Sequence, residues 1–342
     1  MTAYGTAHTT ACLTAGLTAG APADLAALRG GSSAGAAAYA ARVRAVSRRL
    51  VALDNEPGAP PVAPLAVRAF ADVRRVLRQG GATRATRDVL AAAAELAEIA
   101  GWALFSAGRF AAARRANREA LRLARLAGDR PIELLVYQNM GLLAGWTGRS
   151  GEELALARTV LDGRRLPPRV EALFRAREAQ GLAGTGRAWE ARRSFARARG
   201  LLEESAPAST PGWAWWITPE EIDRQEGGVL HRAGEWREAI PVLRRATADT
   251  DVRVGYHSVA AVRLLASLVE VRSWREAERV AAALPPAVAQ TTSRVTLGLL
   301  ADVARRGLRQ CRAPGALREA LHGVLRAADA RAAAGYAALG SP

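Results

Sequence analysis

Apolar residues recur every three to four positions along most of this chain, the period of helices that bury one face. Val43, Val46, Leu50 and Leu53 share one face of a first helix, expected from Ala36 to about Leu53. It ends at Asp54-Asn55-Glu56-Pro57-Gly58, because Pro57 lacks an amide donor and disfavours helix before it. A Pro-rich bend from Ala59 to Pro64 leads to a second helix that reaches Gln79 and stops at Gly80-Gly81. Thr83 or Thr86 is the candidate cap of the next. Ala and Leu dominate and β-branched runs are scarce, so no sheet is expected.

A short pattern then returns five times: a small or basic residue, any residue, usually an aromatic, two residues, and Ala. The copies are Gly108-Arg109-Phe110 with Ala113, Gly148-Arg149-Ser150 with Glu153, Gly186-Arg187-Ala188 with Ala191, Gly234-Glu235-Trp236 with Ala239, and Arg272-Ser273-Trp274 with Ala277. A near-constant period of 38 to 48 residues predicts an all-α solenoid of helical hairpins, with each copy at the joint between two helices. Gly101, Gly141 and Gly227 each stand seven residues before a joint, where a missing side chain lets the two helices approach. Phe110, Trp236 and Trp274 are expected to fill the wedge between units.

The longest spacing hides an insertion, Glu203 to Gly212, rich in Pro, Ser and Ala and followed by Trp213-Ala214-Trp215-Trp216. Those Trp residues either plug the long connection or anchor a partner, since Trp is enriched at binding hot spots. Pro285-Pro286 is expected to break the array, with two or three capping helices from about Val288 to Leu339. The resulting division is a flexible segment over 1–35, N-terminal helices over 36–93, five hairpins over 94–285 and capping helices over 286–342.

Charge and chemistry narrow the function classes. All 48 basic residues are Arg, which excludes a Schiff-base Lys and a P-loop Lys. The net charge of +16 admits two readings: an electropositive surface for anionic partners, or Arg used as the default solvated helix residue. Cys12 and Cys311 stand far apart without metal-ligand spacing, and read as free thiols of a reducing cytosol. The N-terminal residues lack a basic region and a sustained apolar run, so no signal peptide is expected, and without a stretch of 18 uncharged apolar residues no membrane span is expected. His8, His231, His257 and His322 form no metal pair, and no cofactor or metal is expected. His231 and His257 are candidate general bases, though each also reads as a plain helix-face His. Glu220 and Glu221 read as first-turn acids at a positive helix end.

The joints also serve as a ruler. Nine residues before them stand Ile99, Asn139, Arg177, Gln225 and Arg263. An amide or guanidinium at one height on four successive helices matches the backbone and carboxylate groups of an extended peptide. The same face is expected to carry Trp102, Tyr137, Gln138, Trp146, Arg224 and His231. Asn139, Arg177, Gln225 and Arg263 are therefore the candidate ligand-binding residues; the alternative is a solvated polar wall.

The units resemble tetratricopeptide (TPR) repeats. Residues 36 to about 290 are similar to the C-terminal part of actinobacterial XRE-type helix-turn-helix regulators. The resemblance rests on Ala41-Arg42-Val43-Arg44-Ala45 with Leu53-Asp54-Asn55, on Ala93 to Trp102, on Ala120-Leu121-Arg122-Leu123-Ala124, and on Trp213 to Trp216. It implies a right-handed superhelix whose first helices line a concave groove. It also implies a cytoplasmic, non-enzymatic binding module in the regulation of secondary metabolism. The partner would be a peptide, a small anionic ligand or a protein, with a homodimer left open. About 35 small and polar residues precede the similar stretch, too few for a helix-turn-helix, so no sequence-specific DNA binding is expected. The competing readings are a scaffold of a biosynthetic pathway and an enzyme using His231, His257 or Glu221.

Overall fold

The computed structural model describes residue 28 and residues 35–56, 61–80, 86–204, 210–247 and 257–337. Most of the expected flexible segment, the break at Pro57-Gly58, the Gly81 stop, Thr83, loop residues 205–209 and Tyr256 lie outside these. Among the described residues the protein is all-helical, with no strand. The helices are α1 Ala36–Asp54, α2 Ala63–Gly80, α3 Arg87–Ser106, α4 Phe110–Ala127, α5 Arg130–Trp146, α6 Ser150–Leu161 and α7 Pro168–Gly184. They continue with α8 Ala188–Glu203, α9 Pro219–Arg232, α10 Trp236–Ala246, α11 His257–Glu270, α12 Trp274–Gln290, α13 Arg294–Leu308 and α14 Gly315–Ala337. A short 3-10 helix, Gly212–Trp216, precedes α9.

Local chemistry sets these boundaries. Thr86, Asp129, Thr218 and Ser293 accept hydrogen bonds from the first-turn amides of Val89, Ile132, Glu221 and Thr296. Each of the five joints is a left-handed residue: Gly108, Gly148, Gly186 and Gly234 at φ 72° to 83°, and Arg272 at 59°. The next residue donates back to the last turn, as in Arg109 N–H to Leu104 O (2.8 Å) and Ser273 N–H to Leu268 O (2.9 Å). This is the Schellman stop, which favours Gly because a Cβ crowds the left-handed backbone.

Two expected boundaries are corrected. The hairpin region begins at Arg87, so the division at 93/94 falls inside α3. Pro285 and Pro286 lie inside α12, which continues to Gln290 rather than breaking there. The buried Ala281, Leu284 and Val288 hold its inner face across the two missing amide donors.

Successive helices pack in order from α2 to α12, α13 packs on α11 and α14, and α1 packs on α3. Every second helix also touches along the row α3, α5, α7, α9, α11 and α13. The row returns on itself: α13 packs against α3, where Val295 meets the cluster of Leu104, Phe105, Leu142 and Leu143. α14 closes the far end on α12 and α13. α3 is long and apolar enough to cross a membrane, but 83% of its apolar window is buried inside the protein.

The close approaches follow the expected Gly positions in two of three cases. A Cβ at Gly101 would overlap the Asn117 amide, and one at Gly227 would lie 2.5 Å from Leu243 Cγ. At Gly141 it would meet only Arg177 Cδ, at 3.8 Å. The tight contact of that hairpin sits one turn later, where Gly145 faces the Glu153 carboxylate. Phe110, Trp236 and Trp274 are half-buried rather than full core residues.

Candidate functional site

The residues placed by the joint ruler do fall on the inner row of helices, but not on a solvated wall. Asn139, Arg177, Gln225 and Arg263 are all buried. Most are held by the adjacent helix of the row. Asn139 Nδ2 donates to Glu98 Oε1 on α3 (2.6 Å), and Gln138 Nε2 to Asn139 Oδ1 (3.4 Å). Arg177 Nε donates to Gln138 Oε1 on α5 (3.1 Å), and its Nη1 lies 3.5 Å from Glu153 Oε1. Gln180 Nε2 on α7 donates to Gln225 Oε1 on α9 (2.6 Å). Gln225 and Arg224 both donate to the Glu221 carboxylate. A polar column thus stitches α3, α5, α7 and α9 together. This corrects the solvated-wall reading of Asn139, Gln138, Gln225 and Arg224, which are buried and hydrogen-bonded within the protein.

Arg263 behaves differently. Its guanidinium carbon lies 5.9 Å from the Trp146 ring centroid, across from α11 to α5. The residue is only 9% exposed. Among the described residues its side chain makes no ion pair and no hydrogen bond. Burial weighs most against its charged form, followed by the like charges of Arg232 and Arg224; Glu221 opposes them. Arg232, the last residue of α9, has no ion pair at contact distance among the described residues, and burial likewise disfavours its charge while Glu153 favours it. Arg232 nevertheless keeps exposed surface.

The surroundings of Arg263 are mixed. Trp146 sits edge-on to Phe105 with centroids 5.8 Å apart, and Phe105 is 5.4 Å from Trp102. Trp102 and Trp146 are half-buried. Trp102 Nε1 donates to Asp54 Oδ2 (3.2 Å); burial raises that carboxyl above its ordinary range, against the pull of the Trp102 bond. His231 Nδ1 is 2.9 Å from Ser267 Oγ. Burial, with Arg263, Arg306 and Arg232 around it, pushes the His231 pKa down to about 4. It is neutral at neutral pH and a weak proton acceptor, which argues against the general-base reading. The side chain of His257 lies outside the description.

Glu153 is the residue that sequence reasoning passed over. It is buried, and desolvation raises its carboxyl to about 7, against Arg177 and Arg232. The signal was present in the repeat itself, because Glu153 occupies the position where the other four copies carry Ala. Tyr137 is also buried and receives a hydrogen bond from Arg125 (2.5 Å).

Trp213, expected as either plug or anchor, is a plug. It is 0% exposed, donates Nε1–H to Pro131 O (2.9 Å), and packs with Leu134, Phe174 and Ile217. Trp215 and Trp216 are half-buried beside it, and Trp216 packs on the same cluster. Trp213 therefore has no surface to offer a partner.

No family model matches the chain, and no curated protein matches it.

Proposed function

We propose that the chain is a non-enzymatic binding module that receives its ligand in the space enclosed by the inner helices. The supporting observation is the placement of charge: α7, α9 and α11 turn Arg177, Arg224 and Arg263 inward, at positions where folding alone favours apolar side chains. Replacing buried ion pairs by well-packed apolar residues is often neutral or stabilising, so such charges mark a use other than stability. The left-handed joints and the ordered packing support reading the fold as a TPR-like, right-handed solenoid. With the resemblance to helix-turn-helix regulators, this favours a cytoplasmic sensor in the regulation of secondary metabolism. The ligand is a peptide or a small anion.

A test is to screen a short-peptide library and a panel of anionic small molecules against the full chain by thermal shift. A ligand present at a hundred times its Kd stabilises by about 2.7 kcal/mol, which raises Tm by several degrees. A folded chain that responds to nothing in either set would sink the reading.

A further inference from the structure

We propose that Arg263 forms, over the face of Trp146, a binding subsite for an oxyanion, a carboxylate or a phosphate. The inference deepens the binding function above and rests on it.

Three observations converge. First, Arg263 is more than nine-tenths buried and lacks any hydrogen-bonded or ion-paired partner among the described residues. A guanidinium carries five N–H donors, and leaving them all unmet in the interior is costly. Its nitrogens are not among the sealed, unpartnered atoms of the protein, so they open onto reachable space. Second, the charge acting most strongly on Arg263 is Arg232, another cation. Like charges that act on one another in this way favour a bound anion, whose charge offsets both. Two acids that act on these guanidiniums are engaged by other side chains: Glu221 accepts from Arg224 and Gln225, and Glu153 pairs with Arg177. Third, the site is rigidly built. Trp146 fixes Arg263 from one side, and a Cβ at Gly228 would lie 2.7 Å from its guanidinium carbon, so the α9 backbone fixes it from the other. A planar fork held this way is preorganised for two parallel N–H···O bonds to a carboxylate or phosphate.

The two sources of such a group are free inorganic phosphate and the carboxyl terminus of a bound peptide. The full chain, purified in a buffer free of multivalent anions, is titrated with phosphate, with a short peptide bearing a free carboxyl terminus, and with the same peptide amidated. Tryptophan fluorescence and thermal shift report binding, since Trp146 touches the site. The expected result is saturable binding of phosphate or of the free peptide, with the amidated peptide at least tenfold weaker. Arg263→Met is expected to abolish the response and to raise Tm in the anion-free buffer, because it removes an unpaired buried charge. Arg232→Gln, at a more exposed position, is expected to weaken the response tenfold without loss of fold, and serves where Arg263→Met does not fold. A variant Arg263→Met that lowers Tm while binding as before would show a structural role and overturn the subsite. Equal binding of free and amidated peptide would overturn the subsite and leave the binding function standing. No response to any probe, together with an empty library screen, would overturn both.

Discussion

The Arg263 guanidinium on α11 lies over the ring of Trp146 on α5, 5.9 Å from its centroid, although two hairpins lie between them in sequence order. The contact joins α5 to α11, where an aromatic face partly compensates a cation that no acid pairs among the described residues. Desolvated cation–π contacts contribute roughly 1–2 kcal/mol. A double-mutant cycle of Trp146→Leu and Arg263→Met, followed by urea denaturation, should give a coupling of about 1 kcal/mol. A coupling near zero would mean that the two side chains are merely adjacent.

Arg272 stands at φ 59° where the other four joints carry Gly. A side chain in the left-handed region costs roughly 1–2 kcal/mol, and the extra freedom of Gly in the unfolded chain returns part of that. Arg272→Gly should therefore stabilise by about 0.5–1 kcal/mol, while Gly234→Ala should destabilise by about 1 kcal/mol. Thermal unfolding of the two variants beside the parent chain checks the pair, and a destabilised Arg272→Gly would contradict the account.

Gly101 and Gly141 occupy equivalent places in the repeat, yet only one is needed. A methyl group at Gly101 collides with Asn117, whereas at Gly141 it finds ordinary contact with Arg177 Cδ. Gly101→Ala should cost about 1–3 kcal/mol by overpacking. Gly141→Ala should be neutral or gain up to about 1 kcal/mol from helix propensity. Denaturant midpoints that fall equally in both would refute the distinction.

Glu153 and His231 are expected to give opposite slopes of stability with pH. The Glu153 carboxyl is raised from 4.5 to about 7 in the folded chain, so between those values the folded state holds more protons than the unfolded state. Its contribution falls as pH rises through that window and is fully lost above it. His231 is lowered from 6.5 to about 4, so the unfolded state binds more protons there, and its contribution is lost as pH falls from 6.5 to 4. Tm measured from pH 4 to 8 for the parent, Glu153→Gln and His231→Asn separates them. Relative to the parent, Glu153→Gln should gain as pH rises from 4.5 to 7, and His231→Asn should gain as pH falls below 6.5. Parallel curves would mean that neither group titrates as its surroundings imply.

The all-helical architecture, most helix ends and the five joints follow from the sequence, because they depend on local rules. Periodic apolar residues predict which face is buried, and Gly at the stop of a helix predicts a left-handed turn. The same locality explains the errors at α3 and α12. A boundary drawn at Ala94 cut a helix whose whole inner face is buried, and Pro285-Pro286 failed to end a helix held by tertiary packing. The ruler correctly brought Asn139, Arg177, Gln225 and Arg263 to one row of helices, since a constant period keeps equivalent residues at equivalent heights. Whether that row faced water or protein was decided only when α13 returned to α3 and neighbouring helices met. Burial is a property of what stands opposite, and what stands opposite here lies about 40 residues or more away along the chain. For Asn139 the opposite group is Glu98, which takes a hydrogen bond from its amide; for Arg263 it is the Trp146 ring, and no acceptor among the described residues meets its donors.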